Sequence, residues 1–371
     1  MLKQPIYYLL IFAPAAFIAR QAGADPVLVF VLSALGLVPL AKLIGDATEE
    51  LAHFTGPRVG GLLNATLGNA AELIITIFAI QAGLLDLVRA SITGSIIGNL
   101  LIVLGLSLLL GGLKNGVQTF DRRTAGLNAT MLVLAVVALA IPSLFDRALI
   151  EVPSSELLFS EGVALILIIL YGLSILYAFT SDKRGVEAAY AAHEVAADGK
   201  AAVVREPAEV HAPRWSLRTS IIALVLATVG TAIVSEILIG AVEPVVESLG
   251  LTEFFLGIII IPLVGNIAEH LVAVQVAIKN KMELSLAVSL GSSLQIALFV
   301  APVLVFISLL FGERLLLVFN DFELIALMGT SIIAALIALD GESNWLEGAM
   351  LIAVYLIIGL AFFFLPAGVH A

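Results

Sequence analysis

Two glutamates stand inside long apolar stretches of this sequence, each behind a glycine and an asparagine: Gly68-Asn69-Ala70-Ala71-Glu72 and Gly265-Asn266-Ile267-Ala268-Glu269. A carboxylate at membrane depth is costly and marks a function by default. The bland alternative is a protonated or hydrogen-bonded Glu that serves helix packing, and the paired occurrence weighs against it. Asn69 and Glu72 are three residues apart, as are Asn266 and Glu269, so each pair shares one helix face. A glycine inside a helix sits best where the backbone is kinked or open, and open backbone offers carbonyl oxygens. Two carboxylates, two amide oxygens and several carbonyls make an all-oxygen site of about 6–8 ligands, which suits Ca²⁺. Two negative charges also balance one divalent cation.

A second signature supplies neutral oxygens. It reads Gly94-Ser95-Ile96-Ile97-Gly98-Asn99 in one half and Gly291-Ser292-Ser293-Leu294-Gln295 in the other. The glycines allow close helix approach, and Ser95, Asn99, Ser292 and Gln295 are candidate ligands, with plain helix packing as the alternative for each alone. His270 follows Glu269 where the first half has Leu73. It reads equally as a proton relay and as a packed neutral histidine. Glu236 lies inside a further apolar stretch and reads as lining a pathway or facing the bundle. Asp46, Glu49 and Glu50 close one apolar stretch, and Glu243, Glu247 and Glu253 hold the matching place in the other half. Either group could funnel cations, although solvated helix ends explain each residue singly.

The two signatures repeat at an offset of 197 without gaps, which also pairs Asp86 with Glu283, Gly94 with Gly291 and Ser95 with Ser292. The polar matches carry the information, because Leu, Ile and Ala matches come free in so apolar a chain.

The elements that must position these residues are membrane helices. Of 371 residues, 61% are hydrophobic and 13% charged, with a mean hydropathy of +1.12. An ordinary soluble domain is about 45–50% apolar and about 25% charged, so this chain could not bury its apolar surface in a soluble core. A soluble enzyme and a disordered protein are excluded, and the net charge of −11 argues against a nucleic-acid footprint. With no cysteine, disulfides and thiolate chemistry are impossible. Eleven segments reach the length of a span, roughly 5–22, 26–45, 59–83, 87–111, 124–144, 157–180, 216–242, 252–278, 284–311, 322–339 and 345–366. They lack period-2 polar alternation, so helices are expected rather than an outer-membrane barrel. The first segment follows Lys3 but is long for a signal peptide, contains Pro14 and precedes no clean small-residue cleavage pattern.

With eleven spans, 14 of the 18 Lys and Arg residues fall on the side of the N-terminus. That side is expected to be cytoplasmic and the C-terminus extracytoplasmic. Segment 181–215 is the one long polar stretch, expected as a cytoplasmic linker that is partly helical around 186–204. The expected units are therefore an N-terminal helix (1–25), five helices (26–180), the linker (181–215) and five helices (216–371). Five is odd, so the second half enters the membrane upside down relative to the first. The fold class is an all-α polytopic membrane protein with 11 transmembrane helices, one N-terminal helix plus two inverted five-helix repeats. Inverted repeats are a transporter architecture whose site lies near the midplane where they meet.

At 68–74, 265–270 and 291–297 the sequence resembles the two alpha-repeats of the calcium/cation antiporter superfamily. Glu269-His270 and the run Ala47-Thr48-Glu49-Glu50-Leu51 are similar to its Ca²⁺/H⁺ exchanger branch more than to Na⁺/Ca²⁺ exchangers. The resemblance implies alternating access, with the first two helices of each half sliding against a core of the next ones. It implies that Glu72 and Glu269 bind Ca²⁺ and H⁺ in turn, with Asn69, Asn266, Ser95, Asn99, Ser292 and Gln295 completing the site and His270 near the proton route. Ca²⁺ and H⁺ are then transported ions, with no cofactor, and the lipid bilayer is the remaining partner; a homo-oligomer is left open. Members often carry a markedly acidic helix between the halves, whereas 181–215 here is nearly neutral, so calcium sensing by the linker is not expected. Competing readings are Na⁺/Ca²⁺ or other divalent-cation exchange on the same scaffold, a passive channel, and an intramembrane enzyme. No His-Glu-x-x-His or Gly-x-Ser-Gly element supports the last. Short loops point to a prokaryotic plasma (inner) membrane, with a vacuolar membrane as the alternative.

Overall fold

A computed structural model of the chain describes residues 4–149, 153–181 and 213–365. Most of the expected linker, including its expected helix around 186–204, lies outside the described residues. A 3₁₀ turn at Pro5–Ile11 leads into helix α1 (Phe12–Gln21). The first half continues with α2 (Pro26–Leu67), α3 (Ala70–Gln81), α4 (Leu85–Asn115), α5 (Arg122–Leu149) and α6 (Pro153–Ser181). The second half holds α7 (Leu217–Leu249), α8 (Glu253–Ile278), α9 (Met282–Leu310), α10 (Asp321–Asp340) and α11 (Trp345–Phe363).

Among the described residues nine helices are long and apolar enough to cross a membrane. The remaining two expected spans take another form. The N-terminal one is split between the 3₁₀ turn and α1. The span expected at 59–83 is cut in two. Gly56 takes a left-handed φ of 77° inside α2, and the chain turns at Gly68-Asn69 before α3 begins. Only glycine adopts such a φ without strain, so the break at Gly56 is written in the residue type.

Among the described residues three stretches wind more loosely than an α-helix. Gly98–Val103 in α4 and Ile296–Val300 in α9 are π-helical, and the offset of 197 superposes them in sequence. Leu256–Ile260 in α8 is the third. Such bulges are rare and concentrate at functional sites; here two follow directly on the Gly94 and Gly291 signatures.

One apolar core runs through both halves, from Leu37 on α2 through Leu100 and Leu104 on α4 to Leu298 on α9 and Leu351 on α11. α2 packs most extensively on α7, while α4 lies against α8 and α11, and α5 against α10. α6 and α11 leave most of their surface outside, with Leu165, Ile166, Ile169, Leu356 and Ile357 exposed; in a bilayer these side chains meet lipid.

The connections are tied down as well. Gln118–Thr119 after α4 pairs antiparallel with Glu342–Ser343 after α10. At the opposite end of the core the equivalent segment after α9 runs extended instead. Its Leu315, Leu317 and Phe319 N–H groups donate to the hydroxyls of Ser308, Ser160 and Ser143 at 3.0, 2.8 and 2.8 Å. Either device satisfies backbone groups that would otherwise be buried unpaired.

Helix α11 docks on α4 through glycine. A Cβ on Gly348 would overlap the Leu109 N–H, and Gly105 faces it across the contact. Gly348→Ala therefore forces two backbones apart. Thermal unfolding in detergent is expected to show a destabilisation of about 1–3 kcal/mol, the usual cost of overpacking; an unchanged Tm would contradict this close approach.

Candidate functional site

Glu72 sits in the first turn of α3, just past the Gly68-Asn69 turn. The opened backbone expected behind each glutamate is present here. In the second half Gly265, Asn266 and Glu269 lie within continuous helix, on the stretch Ile261–Ile278. The two glutamate segments meet at Gly265, where a Cβ would come within 3.7 Å of the Glu72 Cβ.

The polar side chains reach across the boundary between the halves. The Asn69 amide donates to Gln295 Oε1 at 2.7 Å. The Asn266 amide donates to Ser95 Oγ at 3.2 Å, and Ser95 Oγ donates to Glu72 Oε1. The Asn99 amide donates to Ser292 Oγ at 3.1 Å, and Ser292 is within hydrogen-bonding reach of the Glu269 carboxyl. Asn69, Glu72, Ser95, Asn99 and Asn266 are all at most 2% exposed. So Glu72, Glu269, Asn69, Asn266, Ser95, Asn99, Ser292 and Gln295, drawn from α3, α4, α8 and α9, form one cluster at the contact of the halves.

This cluster retains oxygens with nothing to bind. Glu72 Oε2, Glu269 Oε2 and Asn69 Oδ1 are buried without a hydrogen-bond partner. Buried unpaired oxygens are expensive, and three in one cluster form the donor set of a hard, oxygen-seeking cation. The described residues contain no group of three or more His, Cys, Asp or Glu able to hold a metal. Two carboxylates with neutral oxygens suit an ion that must leave again.

Other residues singled out from sequence lie elsewhere. His270 is buried on α8 next to Glu269, and successive residues on a helix diverge by about 100°. Glu236 is exposed and pairs with Arg20 at 3.5 Å, which ties α7 to the end of α1. Glu50, shortly before the Gly56 break in α2, accepts the Trp215 N–H at 3.2 Å, with Glu49 beside it. Close by, Asp46 is bonded by Tyr7 and Lys42. None of these five residues is bonded into the cluster around Glu72.

The two halves do not surround the cluster alike. A Cβ on Gly94 would overlap the Ile258 carbonyl, and one on Gly257 would lie 2.8 Å from Leu87 O. The π-helical stretch of α8 is thus pressed onto α4. At Gly291, the counterpart of Gly94, a Cβ would meet nothing within 4 Å. Glu72 is buried while Glu269 is half-buried. Sequence reasoning missed the part of 256–260 in this seal; Gly257 was the signal that could have found it.

The fold is that of a membrane carrier built from inverted repeats, with the polar cluster where the two halves meet. The model of the Sodium/calcium exchanger protein family matches residues 26–180 and 219–364, and the chain belongs to that family. It is 43% identical over 369 residues to a protein of Aphanothece halophytica named Ca(2+)/H(+) antiporter, covering 98% of each chain. It is 40% identical over 363 residues to the Ca(2+)/H(+) antiporter ChaA of Bacillus subtilis, covering 97% of this chain and 99% of that one. The solved structure of native YfkE superposes with a TM-score of 0.82 at 37% identity, over 97% of this chain and 100% of the other.

Ser95 joins Glu72 to Asn266, so Ser95→Ala strips a buried carboxylate of its donor and an amide of its acceptor. Isothermal titration with Ca²⁺ is expected to show binding weakened about tenfold or more. Unchanged affinity would show that this bond does not support the ion site.

Proposed function

We propose that this chain exports cytosolic Ca²⁺ in exchange for H⁺ by alternating access, with both ions competing for Glu72 and Glu269. The observation that carries this reading is the pair of carboxylates, one from each half, each with a buried, unpartnered oxygen. Relatives named Ca(2+)/H(+) antiporters at 43% and 40% identity over nearly the whole chain support it.

The chemistry follows from the cost of charge in a dry site. Two bare carboxylates side by side in protein interior repel and are poorly solvated. One divalent cation removes both penalties. Protons remove them equally well by neutralising the carboxyls. Bound Ca²⁺ and bound protons therefore exclude each other without further machinery. Asn69, Asn266, Ser95, Asn99, Ser292 and Gln295 hold the two carboxylates and supply neutral oxygens. His270, buried beside Glu269, stands near the proton route. Glu49 and Glu50, shortly before the Gly56 break in α2, and Glu236, exposed on α7, flank the two approaches.

The asymmetry at the glycines fits one arm of the cycle. α8 closes on Gly94 at one side of the cluster, and the matching contact at Gly291 is open. Gly291 lies toward the start of α9, the end flanked by Lys279 and Lys281. By the excess of Lys and Arg that end is cytoplasmic, with the N-terminus on the same side and the C-terminus outside. Residues 26–180 and 216–371 act as the two halves, joined by 181–215, and the membrane is a prokaryotic plasma membrane. A pump cycle needs one such seal at a time, and the second forms as the first opens.

Everted membrane vesicles with an imposed pH gradient are expected to take up labelled Ca²⁺. Glu72→Gln or Glu269→Gln should reduce uptake to background. Undiminished uptake in both variants would refute the assignment, and uptake that follows Na⁺ at fixed pH would show Na⁺/Ca²⁺ exchange instead.

A further inference from the structure

Helix α1 lies outside both repeats, and the ion cluster assigns it no role. It is nevertheless fastened along its whole length. Ahead of it, in the 3₁₀ turn, the buried Tyr7 donates its hydroxyl to Asp46 on α2, and Lys42 bonds the same carboxylate. Near the start of α1 itself, a Cβ on Gly36 of α2 would lie 2.8 Å from the Ala13 N and 3.2 Å from the Ala13 Cβ. The backbones of α1 and α2 therefore meet there directly. At the other end Arg20 meets Glu236 on α7 at 3.5 Å. α1 packs mainly on α2 and, less extensively, on α7.

The fastenings continue between α2 and α7. Glu50, one turn beyond Asp46, accepts the Trp215 N–H just ahead of α7. Leu40 of α2 sits against Gly230 of α7, where a Cβ would lie 3.0 Å from its Cδ2. Glu236 stands 19 residues after Leu217, the first residue of α7, hence about 29 Å along it. Contacts at both ends and in the middle thus close a triangle of α1, α2 and α7. Lipid gives helices little apolar reason to associate, so close approach of small residues and interhelical hydrogen bonds hold them together. The Ala13–Gly36 contact and the Tyr7–Asp46 bond are those two devices.

The repeat offers an internal comparison. At the offset of 197 the α2 positions that this segment covers, Gly36 and Asp46, correspond to Ile233 and Glu243 on α7. Both of these are exposed, Ile233 to 46%. The equivalent face of α7 is left uncovered, so the covering of α2 is an addition to one half alone.

We propose that α1 is a brace that fixes α2 against α7, so that these three helices move as one body when the site changes access. The brace rests on the transport reading above. Held to α2 at one end and set against α7 at the other, α1 resists any slip of α2 along α7. A slip of one helical turn, about 5.4 Å, would part Tyr7 from Asp46 or Arg20 from Glu236. Exposed ion pairs such as Arg20–Glu236 are weak, so the buried Tyr7 bond and the Ala13–Gly36 contact carry most of the brace.

The chain has no cysteine, so introduced thiols stand alone. Tyr7→Cys with Asp46→Cys removes the tie, and a bifunctional maleimide then replaces it with a covalent bridge. In everted vesicles with an imposed pH gradient, the double variant is expected to take up labelled Ca²⁺ about fivefold more slowly than the parent, and bridging is expected to recover most of the rate. Tyr7→Phe keeps the ring, loses only the hydroxyl and is expected to slow uptake likewise. Ca²⁺ titration of the double variant should match the parent, because neither residue is bonded into the ion cluster. If the double variant fails to bind Ca²⁺, Tyr7→Phe decides: slowed uptake supports the brace and parental uptake overturns it. Uptake that stops on bridging would overturn the brace, because α1 and α2 would then have to move past one another. Parental uptake in both unbridged variants would overturn it too, since the tie would be idle. A fall that bridging does not recover in a Ca²⁺-binding double variant would give Asp46 a role of its own and would count equally against the brace. Absence of gradient-driven uptake in the parent would strike the Ca²⁺/H⁺ reading instead.

Discussion

Two carboxylates held close in a water-poor interior are the constraint on which this molecule is built. Neither is tolerable bare, so the interior must always offer a cation or protons. Everything around Glu72 and Glu269 serves that condition. Ser95 and Asn266 hold one carboxyl, Ser292 and Asn99 stand by the other, and Asn69 bridges to Gln295. Each amide crosses from one half to the other, so the cluster exists only while the halves are in contact.

Inverted repetition supplies such a site without a dedicated cage. Two copies of one five-helix unit, placed head to tail, bring their equivalent glutamates together. The repetition is also imperfect in ways that follow from local sequence. Turn residues open the backbone ahead of Glu72, while α8 runs through Gly265 unbroken. The segment of α8 that contains Gly257 closes on Gly94, and Gly291 stands open. A perfectly symmetric carrier would seal both sides or neither. These departures leave the packing tight beside Gly94 and loose beside Gly291.

Much of this architecture was legible in the sequence. Long apolar stretches and a gapless offset of 197 define the helices and the repeat, because a bilayer leaves few alternatives to a helix. The paired polar residues at membrane depth were legible for the same reason, since burial there is too costly to be casual. What stayed hidden depends on backbone detail and on distance between elements. The π-helical stretches arise from how helices press together, and no periodicity announces them. Glu236 looked buried by its position in an apolar stretch. It is exposed beside Arg20, because span depth alone says nothing about which way a side chain turns.

Competition at one pair of carboxylates can be measured without a membrane. The purified protein in weakly buffered detergent solution is titrated with Ca²⁺ while a pH indicator counts released protons. The account predicts that each Ca²⁺ bound expels about one or two protons near neutral pH, and that Glu72→Gln with Glu269→Gln abolishes the release. Ca²⁺ binding with no proton release would contradict it.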